Sequence, residues 1–135
     1  MNLKKIEHIG IAVKDLEQSK KLYKKLLGVQ SYKDEKVSSE GVITSFFKIG
    51  ESKIELLAGI NDTSPISKFI EKKGEGFHHI AYEVDDIVLE TNRLKKEGFI
   101  FIYEQAKEGA DNKWVNFIHP KSAGGVLIEI CQEKK

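Results

Sequence analysis

Two histidines and two glutamates recur at matched places in this chain. His8 lies in Glu7-His8-Ile9-Gly10-Ile11-Ala12-Val13, and His79 in His78-His79-Ile80-Ala81-Tyr82-Glu83-Val84, 71 positions later. The same offset sets Ile9 on Ile80, Val13 on Val84 and Asp15 on Asp86. Each copy ends in a strand with a lone acid, Ile54-Glu55-Leu56 and Ile128-Glu129-Ile130. Taken singly, each of these residues is ordinary on a solvated strand face. Doubled, they offer two imidazoles and two carboxylates, a donor set that suits a borderline divalent ion such as Co, Ni, Mn, Zn or Fe. One or two positions would remain for water or substrate oxygens.

Such a site needs elements that aim its donors inward. Residues 5–14 alternate as a strand with Ile9, Ile11 and Val13 on one face and His8, Gly10 and Ala12 on the other. Asp15 caps a helix, with Gln18 completing a capping-box pattern, Leu16, Tyr23, Leu26 and Leu27 as its apolar stripe, and Gly28 as its stop. Strands are expected at about 30–35, 42–49 and 53–57. A connector follows with a short helix capped by Ser64, begun by Pro65 and stopped by Gly74. The second copy opens at Phe77, Asp86 caps its helix, and Gly98 ends it. Its strands are expected at about 100–104, 114–118 and 126–131, with loops at 108–113 and 120–125. Neighbouring strand residues point to opposite faces, so only one of His78 and His79 can face the site, and the repeat selects His79. The isoleucines and leucine around Glu55 and Glu129 face the helices, which turns both acids the other way.

The reading is therefore an α+β fold. Two tandem βαβββ modules form a curved mixed sheet around a metal-binding cleft. Residues 1–135 make one domain: module one at about 4–60, the connector helix at about 61–75, and module two at about 76–133.

Composition excludes several function classes. With 22 basic and 21 acidic residues the net charge is +1, which gives no electrostatic reason to expect nucleic acid or an anionic membrane. No apolar run approaches the roughly 18 residues of a membrane span. Residues 1–7 lack a signal-peptide core. One cysteine, Cys131, excludes an intrachain disulfide and reads as inert. Together these point to the cytoplasm. His119, before Pro120, reads as a loop-stabilising residue.

The residues resemble a known family. His8-Ile9-Gly10-Ile11-Ala12-Val13, Lys53-Ile54-Glu55-Leu56-Leu57, Gly74-Glu75-Gly76-Phe77-His78-His79-Ile80-Ala81 and His119-Pro120-Lys121-Ser122-Ala123-Gly124-Gly125-Val126-Leu127-Ile128-Glu129 are similar to the vicinal oxygen chelate superfamily (glyoxalases, bleomycin resistance proteins and dioxygenases). Within it they resemble the methylmalonyl-CoA epimerase family. Glyoxalases carry an Asp-Pro-Asp-Gly type of turn where this chain has His119-Pro120-Lys121-Ser122. The resemblance implies metal ligands His8, Glu55, His79 and Glu129. It implies metal-dependent interconversion of (R)- and (S)-methylmalonyl-CoA through an enediolate, with Glu129 as both ligand and acid/base. It also implies an acyl-CoA partner, a substrate-side loop at 119–125 with Lys121 and Ser122, and a homodimer. Lys113 is a further candidate for the coenzyme A phosphates.

One departure stands out. Some members carry their second acid/base, a Glu, where this chain has Thr44. Water held by Thr44, or Glu40, are the remaining candidates. The runner-up activity is a glyoxalase I-type isomerase acting on a hemithioacetal. An extradiol dioxygenase needs two histidines and one carboxylate, and a fourth protein ligand at Glu55 would crowd out oxygen. A drug-binding member would have lost some of the four ligands, and this chain keeps them all.

Overall fold

The computed structural model describes residues 3–135; Met1 and Asn2, the start of the segment read as lacking a signal peptide, lie outside the described residues. Among the described residues there are eight strands and three α-helices. In chain order these are β1 (Leu3–Ala12), α1 (Leu16–Leu27), β2 (Lys33–Val37), β3 (Val42–Ile49), β4 (Ser52–Gly59), α2 (Pro65–Lys73), β5 (Gly76–Val84), α3 (Ile87–Lys96), β6 (Lys107–Gly109), β7 (Lys113–Ile118) and β8 (Ile128–Glu133). The fold is α+β, and each half of the chain runs βαβββ, as expected.

The chain forms two compact units: residues 9–78, and residues 79–135 together with 1–8. In the unit of residues 9–78 the strand order is β2-β3-β4-β1. β2 with β3 and β3 with β4 are antiparallel. Val13, Phe47, Leu56 and Ala58 form a core against Leu16, Tyr23 and Leu27 of α1, with Ile11 and Ile54 packed on it. The other face is covered at one end by α2, where Ile66 and Ile70 meet Ala12, Val42 and Leu57. In the second unit the order is β1-β5-β8-β7-β6. β5 and β8 are parallel, while β6 with β7 and β7 with β8 are antiparallel, so the sheet is mixed. Val84, Ile118 and Ile130 pack on Ile87 and Leu94 of α3.

Helix ends follow local chemistry. The Asp15 carboxylate accepts from the Gln18 N–H at 3.1 Å, and Gly28 takes φ +73° after α1. Asp86 does the same for Leu89 at 3.0 Å. Ser64 accepts from Ser67, with Pro65 as the first residue of α2. α3 stops at Lys96 with Glu97 as its cap; Gly98, at φ +100°, redirects the chain just beyond.

Several expectations need correction. Leu26 is 69% exposed and does not join the α1 stripe. At about 100° per residue, Leu16, Tyr23 and Leu27 fall within about 40° of one another, whereas Leu26 lies about 80° away. β2 spans 33–37 rather than 30–35, because its ladder with β3 runs from Lys33 opposite Phe46 to Val37 opposite Val42. β8 spans 128–133 rather than 126–131, pairing with the full length of β7. Residues 100–104 do not form a strand. They are held by a single bridge from Phe101 to Ile118 and by the Asn116 amide, which bonds both the N–H and the carbonyl of Tyr103. The third strand of this module is β6, inside part of the segment expected as a loop. Asp111 and Asn112 adopt φ of 58° and 59°, the left-handed region these residues tolerate, and turn β6 back onto β7.

Removing the Asp86 cap by Asp86→Ala should cost about 1 kcal/mol in urea unfolding. Leu26→Ala should change stability by less than about 0.5 kcal/mol.

Candidate metal centre

Strand register builds the site. Parallel pairing sets Ala81 beside Glu129, and antiparallel pairing sets Phe117 on the other side of Glu129. Ile128 and Ile130 pack into the α3 core, so alternation turns Glu129 to the opposite face. His79, two residues before Ala81, shares that face. Ala81, Val115 and Cys131 form a small apolar floor there, with Phe117 against it. The Phe117 ring meets the His79 imidazole edge-on, centroids 6.1 Å apart.

His8, in the same compact unit, completes the group. Its Nε2 lies 2.9 Å from His79 Nε2. Glu129 Oε1 is 3.5 Å from the first nitrogen and 3.3 Å from the second. One ligand atom from each of the three residues falls within 4.8 Å of the others. All three residues are buried, at 5–6% exposure. Two nitrogens bound to one ion at about 2.0–2.1 Å, with angles near 90–110°, sit roughly 2.9–3.4 Å apart. The nitrogen separation falls in that range, so the donor set fits a divalent ion both in spacing and in type.

The electrostatics keep Glu129 ionised. Burial pushes the Glu129 carboxyl up, but the charge on His8 and hydrogen bonds from both histidines outweigh it. The net result is a carboxyl held below its usual range. Cys131, by contrast, is driven far above the ordinary thiol range, chiefly by burial and then by the Glu129 charge. Its burial and raised pKa agree with a structural thiol.

Glu7 is a residue that sequence reasoning missed. Alternation assigns it to the face opposite His8, yet both are buried and Glu7 Oε1 accepts from His8 Nδ1 at 2.9 Å. A charged residue directly before the histidine was the only available signal. Its repeat partner, His78, instead stacks edge-on against Phe69, centroids 4.8 Å apart.

Glu55 belongs to the unit of residues 9–78, is buried at 5% exposure, and pairs opposite Phe46. Thr44 shares that sheet face two residues along, and its hydroxyl donates to the Glu35 carbonyl at 3.2 Å. Glu40, itself half-buried, ends a 3-10 turn whose two serines are exposed. Lys121 is exposed. The Ser122 hydroxyl donates to the His119 carbonyl and accepts from the Ile100 N–H, so it fastens the loop. His119 does the same, its Nδ1 accepting from the Lys121 N–H at 3.1 Å. Lys113 is buried at 5% exposure among Glu133, Glu7 and Glu83, which corrects its reading as a phosphate donor at a loop. A groove of about 820 Å³ runs along α3 past Trp114 and Gln132. Gln132 alternates with Glu129 across the sheet, so the groove is on the helix face, away from the acid.

Residues 7–117 match the model of the glyoxalase/bleomycin resistance protein/dioxygenase superfamily. The chain belongs to this superfamily. It is 42% identical to the mitochondrial methylmalonyl-CoA epimerase of Homo sapiens, over 97% of this chain and 75% of that protein. The methylmalonyl-CoA epimerase of Mycobacterium tuberculosis superposes with a TM-score of 0.94 at 34% identity, covering 98% of this chain and 90% of that one. A methylmalonyl-CoA epimerase in complex with methylmalonyl-CoA and NH4+ gives a TM-score of 0.93 at 31% identity, covering 97% and 95%.

Because its folded pKa lies below the ordinary value of 4.5, Glu129 stabilises the fold above that pH, and the contribution is lost as pH falls through the depressed value. In metal-free protein, urea midpoints measured from pH 6 down to about pH 3 should fall less steeply for Glu129→Gln than for the parent.

Proposed function

We propose that this chain epimerises methylmalonyl-CoA at C2, using a divalent ion held by His8, His79 and Glu129. The observation that carries the reading is the convergence of three buried ligand atoms in a chain of this superfamily, similar along nearly its whole length to methylmalonyl-CoA epimerases. Glu55 is proposed as the fourth ligand from the sequence repeat alone.

A bound divalent ion supplies Lewis acidity toward the thioester carbonyl and carboxylate oxygens that flank the reacting carbon. The protein residues do the rest. His8 and His79 hold their Nε2 atoms toward one point, and the apolar floor under them limits water. Glu129, ionised and buried beside them, is the proposed base for the C2 proton. Inversion needs a second proton carrier on the opposite face. The Thr44 hydroxyl already donates to a backbone carbonyl, which leaves its oxygen as an acceptor able to hold a water; Glu40 is the other candidate. Lys121, exposed on the 119–125 loop, is proposed to meet the anionic coenzyme A, with Ser122 shaping that loop. We also propose a homodimer in the cytoplasm. Among the described residues, no helix is long and apolar enough to cross a membrane.

Proton NMR of methylmalonyl-CoA in D2O with metal-loaded protein tests the reading. The C2 proton signal should disappear with enzyme and persist with His79→Ala. Glu129→Gln should slow the exchange by about 10²- to 10⁴-fold. Exchange no faster than in buffer, with metal confirmed bound, would reject the epimerase; turnover of a hemithioacetal in its place would establish a glyoxalase-type isomerase.

A further inference from the structure

We infer that Glu7 is a positioning residue for the metal centre. It holds the His8 ring so that Nε2, and not Nδ1, faces the ion, and a buried lysine holds Glu7 in turn. The inference rests on the metal-site reading above and assigns a new residue to it.

The geometry is specific. Glu7 is 2% exposed, which is costly for a carboxylate unless it is paired. One of its oxygens accepts a hydrogen bond from His8 Nδ1–H at 2.9 Å. The other lies 3.9 Å from Lys113 Nζ. That ammonium also sits 3.2 Å from Glu133 and 3.9 Å from Glu83, and Glu83 is approached by Lys4 at 3.7 Å. Lys113 is thus enclosed by three acids. Its strand, β7, is tied to β8, where Lys113 pairs opposite Glu133. The line from β7 through Lys113 and Glu7 to His8 connects the rigid sheet to a ligand ring.

The chemistry follows from imidazole. A neutral ring carries one N–H and one lone pair, and the partner of the N–H selects the tautomer. A carboxylate on Nδ1–H leaves the lone pair on Nε2, the atom that faces His79 and Glu129. It also makes that nitrogen a stronger donor, as carboxylates behind metal-bound histidines do. Neighbouring side chains on a regular strand point to opposite faces, and Glu7 and His8 break that rule to meet.

The test uses the full chain, with Co2+ as the probe. Competition against a chelator should show Co2+ affinity about 10- to 100-fold weaker for Glu7→Leu. Glu7→Gln, which keeps an acceptor for Nδ1–H, should recover most of that loss. In a His8→Ala background, Glu7→Leu should cost nothing further. Nitrogen-15 NMR of the metal-free parent at pH 9 needs no variant and reads the tautomer directly. The inference expects His8 protonated at Nδ1; a neutral ring protonated at Nε2 would overturn it. Affinity within twofold of the parent for Glu7→Leu, or an equal loss with and without His8, would also overturn it. A parent that takes up no Co2+ at all would instead remove the metal reading beneath it, and this inference with it.

Discussion

Everything in this structure turns on bringing two imidazole nitrogens to 2.9 Å in a buried place beside a carboxylate. Burying three polar groups together is unfavourable unless charge and hydrogen-bonding demands are met. A carboxylate cannot donate, and a neutral imidazole nitrogen either donates or accepts. A divalent ion satisfies all three at once. That requirement explains why the donors sit on strands, whose spacing is set by backbone ladders, and not on mobile loops.

The surrounding sheet supplies the precision. Glu129 lies between β5 and β7, with Ala81 on one side and Phe117 on the other. A small residue and a flat ring leave room for the acid while excluding alternatives. On the reverse face, the α3 core anchors Ile128 and Ile130, so the strand cannot turn Glu129 to that face without exposing both. Packing on one face thus fixes the chemistry on the other. Glu7 and Lys113 extend the same logic to His8, with ion pairing in place of apolar packing.

Much of this was legible in the sequence because the signals are local or periodic. The two-residue period of a strand put His78 and His79 on opposite faces and turned Glu129 away from its isoleucine neighbours, and the repeat chose His79. Cap residues at Asp15, Ser64 and Asp86 announced three helix starts, since each bond spans only three residues. What escaped depends on partners distant in the chain. Residues 100–104 look like a strand, but they meet β7 through a single bridge at Phe101, and beyond it the Asn116 side chain takes both backbone groups of Tyr103. Lys113 looks like a loop lysine, and only the fold surrounds it with acids. Glu7 was hidden because periodicity assigned it to the wrong face. The convergence of His8 with His79 and Glu129 was inferred from duplication, and the distances now give it physical content.

Anomalous diffraction from a Co2+-loaded crystal tests the central claim most directly. The account predicts one strong peak per chain, about 2.0–2.2 Å from His8 Nε2, His79 Nε2 and a Glu129 carboxylate oxygen. A peak ligated through His8 Nδ1, a peak elsewhere, or none at saturating Co2+ would contradict it.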